Sequence, residues 1–222
     1  MLFTLAVVSL TACGEEASNK QTPETVTTPS RYTNLISKYK PITFDTLQVF
    51  SAYEINSETN KFKGTKLDST DFKLLPAGMR TESFDDFYAC FQFPLDGTHI
   101  ALITRTPSFY DVTSLKLLVY DKSRDTISRI TELAENVGDG GAQTVKTSWL
   151  FKEGQQYVSL IFVEETLDHS IDDENPVARI DTTRSYSLVE VISRDTLNAD
   201  ASSLEKRFRT LLRTRELLKG NK

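Results

Sequence analysis

The chain has 222 residues with 39% hydrophobic and 10% aromatic content, enough for a packed core and too much for a disordered polymer. Its net charge of −5 argues against a general nucleic-acid binder, and two cysteines are too few for a disulfide-stapled fold. The charge is uneven: residues 201–222 hold seven Lys/Arg against Glu205 and Glu216, a local charge of +5, so the preceding 200 residues carry −10.

Residues 2–10 (LFTLAVVSL) form an uncharged apolar run, followed directly by Leu10-Thr11-Ala12-Cys13. Nine residues fall well short of the roughly 20 needed for a permanent transmembrane helix, and match the core of a cleaved signal. The arrangement resembles a bacterial lipoprotein signal with its lipobox, although no Lys or Arg precedes the apolar run. The resemblance implies a signal peptide over 1–12, cleavage before Cys13, and lipid on that cysteine. Several acyl chains, at about 0.8 kcal/mol per buried methylene, make a durable anchor. Gly14, where enteric bacteria place Asp to retain a lipoprotein in the inner membrane, favours the outer membrane by the same resemblance. Glu15-Glu16 is similar to the display signal of some Bacteroidota lipoproteins.

The tract from Gly14 to Arg31 (GEEASNKQTPETVTTPSR) contains almost nothing able to pack in a core, so 13–31 reads as the lipidated cysteine and a tether. As a coil it has a root-mean-square reach of roughly 20–25 Å. The single domain expected over 32–222 starts with Tyr32, Leu35, Ile36 and Tyr39 at helical spacing, stopped by Pro41. Strands are expected over 44–53 and 61–67. Ser69-Thr70-Asp71 offers capping side chains for a short helical turn that Pro76 ends. With the lipid on Cys13, Cys90 has no partner, and its place in the strand-like run FYACFQF marks it as a buried apolar thiol.

Residues 91–196 carry a weak internal repeat. Residues 91–94, a turn at Asp96-Gly97, strands over 99–105 and 115–121, and Ser123-Arg124-Asp125-Thr126 are echoed further on. The echo is 149–151, a turn at Glu153-Gly154, strands over 157–164 and 185–192, and Ser193-Arg194-Asp195-Thr196. This order resembles the blades of WD-repeat-like propellers. Closure takes typically four to eight blades and there is room for two or three. The expected fold is therefore mainly β, with antiparallel sheets as a sandwich or open blade-like units. Gly138-Asp139-Gly140-Gly141 reads as a flexible connection between the two units.

The last element is a helix over 202–219, with Asp200 or Ser202 as cap. Leu204, Phe208, Leu211, Leu212 and Leu218 fall on one arc, and Lys206, Arg209 and Arg213 fall opposite. That basic face could meet lipid phosphates or an acidic partner.

Chemistry leaves little trace. His99 and His169 are the only histidines, and no nucleophile elbow, zinc-protease or nucleotide-loop motif occurs. No catalytic residue, metal or cofactor is assigned. The densest oxygen cluster is DHSIDDEN, with Asp168, Ser170, Asp172, Asp173 and Glu174. It keeps the alternate spacing of a calcium loop at first, then places Asp173 where that loop needs glycine and Arg179 where it needs a bidentate glutamate. It therefore reads as a solvated hairpin tip able to carry a binding surface. The expectation is an envelope lipoprotein acting as a binding or structural module, its partners the membrane through Cys13, other envelope proteins or anionic lipid. The alternative is an envelope-polymer hydrolase using carboxylates of 168–174, since glycoside hydrolysis takes a carboxylate pair.

Overall fold

The computed structural model describes residues 29–51, 60–79, 86–108, 113–171, 179–197 and 199–219, apart from the side chains of Arg129 and 212–219. The expected signal segment, Cys13 and the expected tether as far as residue 28 lie outside the described residues. The chain is mainly β, as its alternating apolar pattern requires. Its first elements are short: α1 (Thr33–Ser37), β1 (Lys40–Pro41), β2 (Thr46–Phe50), β3 (Thr65–Lys66), α2 (Ser69–Leu74) and a 3-10 turn at Ala77–Met79. The longer strands follow: β4 (Tyr88–Pro94), β5 (His99–Thr106), β6 (Ser114–Asp121), β7 (Thr126–Asp139), β8 (Ala142–Glu153), β9 (Gln156–Asp168) and β10 (Ile180–Glu190). The C-terminal helix, α3, spans Ala201–Lys219.

The strands form one ten-stranded sheet, in which β4 to β10 run in sequential order. Among the described pairs, β1 with β4 is parallel and the rest antiparallel. The sheet folds over at β7. As far as Ala134 this strand pairs with β6, with two register shifts; from Glu135 it pairs with β8 instead. Such bulges bend a strand and increase its twist. β2 then takes the place beside β8 that β7 leaves, with Thr46 opposite Phe151 and Phe50 opposite Thr147. The Ser148 hydroxyl, fully buried, donates to the Leu133 carbonyl and ties this corner.

The two halves of the sheet share one core, giving the sandwich. On β6, side chains alternate between faces. Leu115, Leu117 and Val119 point inward to meet Ile103, Leu133, Val49 and Leu150. Leu118 and Tyr120 point outward, where Leu35, Tyr39, Leu75 and Phe87 cover them. There the Tyr39 hydroxyl and Thr104 Oγ1 bond at 2.8 Å. On the outer face of the other half, Trp149, Leu160 and Leu188 receive Leu204, Phe208 and Leu211 of α3.

Two local expectations need correction, and the choice of α3 cap falls to one of its two candidates. The α2 cap is Asp68, one residue upstream of the triplet read from the sequence, in a reciprocal box with Asp71. The α3 cap is Asp200, which accepts from the Ser203 amide at 2.9 Å. The segment around Gly138 is no flexible connection: β7 and β8 meet in a two-residue hairpin with Gly140 and Gly141 at φ +54° and +87°. That left-handed pair is what such turns need and glycine adopts it without a Cβ penalty.

Candidate functional site

The internal repeat corresponds to two three-stranded meanders, β4–β5–β6 and β8–β9–β10. Each SRDT segment closes a turn after the third strand. The first joins Asp121 to Thr126, the second brings Thr196 back to Val189. The turns differ in detail, since the left-handed residue is Asp125 in one and Arg194 in the other. The extra length of the second meander is the β9–β10 hairpin. Its register runs unbroken from Val158–Glu190 to Asp168–Ile180. The part nearest the turn extends past the core as an arm, and its tip carries the exposed apolar side chains Leu167 and Ile180.

Pairing places side chains on this arm in rows. Ala142, Leu167 and Asp181 make one row, and Thr144, Glu165 and Thr183 the next. Period-two alternation puts both rows on one face. They line a groove of about 670 Å³. The Thr183 hydroxyl reaches the Glu165 carboxylate at 3.4 Å. Asp181 accepts from Arg179 Nε at 2.8 Å and meets His169 Nε2 at 3.0 Å, and these two partners hold its carboxyl below the ordinary value.

The sequence-derived candidates are distributed as follows. Asp168 and Ser170 sit together at the hairpin tip, where the Asp168 carboxylate accepts from the Ser170 hydroxyl at 2.6 Å and amide at 2.9 Å. These bonds lower its pKa, the hydroxyl contributing most. Asp172, Asp173 and Glu174 lie outside the described residues. Among the described residues, no three His, Cys, Asp or Glu side chains converge to hold a metal ion.

Lys206 and Arg209 stand on the exposed face of α3. Arg209 is bonded to Glu205 one turn back, at 2.6 Å. Arg207 reaches Glu153 at 3.0 Å and lies over the Phe151 ring at 4.5 Å. The charge of this helix is therefore partly spent on its own neighbours. Arg213 belongs to α3, with its side chain outside the description. Phe208 docks the helix: it stacks on Phe162 at 4.5 Å and meets Trp149 and Tyr186 at 5.1 and 5.3 Å. Phe162 lies six residues before Asp168 on β9, so the helix dock and the arm tip are about 20 Å apart along the strand.

Glu165, Asp181 and Thr183 were not singled out from sequence, because only cross-strand register brings them together. The same holds for Glu132, which sits 3.2 Å from both Lys116 and Lys146 and accepts from the Ser114 hydroxyl at 2.6 Å. Cys90 is buried, and that burial raises its thiol pKa to about 12 despite the opposing charge of Arg105. It has the character of an inert core side chain.

The chain matches no known family model, no curated protein and no solved structure.

Proposed function

We propose that this chain is an envelope lipoprotein, anchored through Cys13 in the outer membrane, whose β domain acts as a binding or structural module. The observation that carries the reading is the apolar run ending in Leu10-Thr11-Ala12-Cys13. It is supported by where the fold begins: Ser30 is the first described side chain bonded to the domain, and the polar tract before it is read as the spacer. The grooved arm supplies the contact surface. Inserted loops and hairpins on a rigid sheet are where recognition concentrates, and hydroxyl and carboxylate rows beside Leu167 suit a polar partner with a small apolar contact.

Radiolabelled palmitate supplied to producing cells should enter the wild-type chain and not Cys13→Ala. Pull-down from solubilised membranes should recover a partner that the double variant Glu165→Lys, Asp181→Lys loses. An unprocessed, unlabelled wild-type chain sinks the anchoring; unchanged capture by the double variant sinks the arm.

A further inference from the structure

The point where the chain enters the described structure lies beside a second groove. Ser30 donates to the Asp125 carboxylate, and the Tyr120 hydroxyl bonds to both Ser30 Oγ and Asp125 at 3.0 Å. Arg31 lies 4.7 Å over the Tyr32 ring and reaches the Asp125 carbonyl. The N-terminal chain is thereby stapled to the β6–β7 turn. Tyr120 is the cross-strand neighbour of Ile100, about 5 Å away by sheet geometry. Ile100 lines a mainly apolar groove of about 320 Å³ with Pro41, Ile42, Phe93 and Pro94, and Lys122 stands in its wall.

Charge at this end is sorted by depth. Three cations, Arg31, Lys122 and Arg124, are exposed. Carboxylates share the end, and Asp96 keeps a side chain 41% exposed. The Asp121 side chain, however, is 12% exposed under an Arg124 that is 78% exposed, and it accepts from the Ser123 amide and hydroxyl. Asp125 is taken up by Ser30 and Tyr120, and Asp96 by the Thr98 and His99 amides and the His99 ring. At the β6–β7 turn, therefore, a phosphate approaching from outside meets Lys122 and Arg124 before Asp121.

We infer that this end of the sandwich is a lipid-facing surface, with the groove taking the apolar part of an anionic phospholipid and Lys122 and Arg124 its phosphate. The inference rests on the anchoring reading for its direction. Fifteen residues separate Cys13 from Pro29, a root-mean-square span of about 20 Å as a coil, so a lipidated Cys13 holds this end, rather than the β9–β10 arm, against the headgroups. Tethering raises the effective concentration of the surface to the millimolar range, so a weak site suffices. The arm then points away from the bilayer, since β7 runs from the stapled turn at Thr126 to the arm-side turn at Asp139.

The test uses the full chain carrying Cys13→Ala, which removes the anchor. It should sediment with phosphatidylcholine vesicles containing phosphatidylglycerol, more weakly with phosphatidylcholine alone, and less as salt rises. K122E and R124E should each lower partitioning about fivefold or more, whereas K66E on β3, an exposed position at the far end of β4 from the groove, leaves it unchanged. Should either reversal unfold the chain, the neutral K122Q and R124Q read the same loss. Equal binding to both vesicles, an equal loss with K66E, or self-association that K122E abolishes without vesicle binding would each overturn the inference. Palmitate labelling of the wild type is scored separately, so a failed anchor and a failed surface give different results.

Discussion

Phe208→Ala should undock α3 while leaving the sheet folded. Truncating a fully buried phenylalanine costs about 3–5 kcal/mol. Phe208 is only partly buried, which reduces the transfer share, but it forfeits contacts with Phe162, Trp149 and Tyr186 together. Aromatic pairs contribute about 0.5–1.5 kcal/mol each beyond area, with overlap among three on one ring. The net loss should be about 2–3 kcal/mol, or roughly 5–10 °C in Tm for a domain of this size. Trp149 is the only tryptophan and packs edge-on against Phe208, so its emission reports the dock directly. Urea unfolding would be followed by Trp149 fluorescence and by far-ultraviolet circular dichroism. A loss below about 0.5 kcal/mol with unchanged Trp149 emission would refute the idea that this ring holds the helix.

Two further outcomes follow from Glu132 and from two glycines of positive φ. Burial alone would raise the Glu132 carboxyl, but the Ser114 hydrogen bond and the charges of Lys116 and Lys146 outweigh it, so the folded pKa is lowered. Its contribution is therefore full above the ordinary value of 4.5 and lost as pH falls through the lower folded value. Glu132→Gln should cost about 1–2 kcal/mol at neutral pH, and the gap to wild type in urea melts should shrink below pH 4.5; a gap that persists undiminished in acid contradicts this. Gly64 has φ +70° and a Cβ there would stand 2.9 Å from the Ala89 carbonyl oxygen, whereas Gly154 at φ +63° faces open space. Gly154→Ala should cost about 1 kcal/mol of backbone strain and Gly64→Ala clearly more; equal Tm losses would show that the contact with Ala89 is not limiting.

The parts of the fold legible in sequence are those whose apolar spacing is local. Tyr32, Leu35 and Tyr39 marked α1, the apolar runs marked β4, β5 and β6, and Leu204 with Phe208 marked the buried side of α3. β7 was missed because TISRITELAENVGD is polar over its second half, where the strand leaves the core for the arm. The available signal was Gly140-Gly141 between two extended stretches, a recognised hairpin pair. Strands β8, β9 and β10 were read too short for the same reason: their arm ends face water and lack apolar alternation. At the candidate site, the tip residues Asp168 and Ser170 were visible as a linear cluster. The groove was not, because Thr144, Glu165 and Thr183 become neighbours only once three strands are in register.

The position of β2 has a consequence for how the chain reaches its native state. Thr46 must wait for Phe151, roughly a hundred residues later in synthesis, before its ladder can close. Helices α1 and α2 and the first meander can collapse early, but Leu47 and Val49 find their seat only after the second meander has arrived. Maturation should then show a late, slow phase, and fragments ending before residue 147 should stall with an open seam.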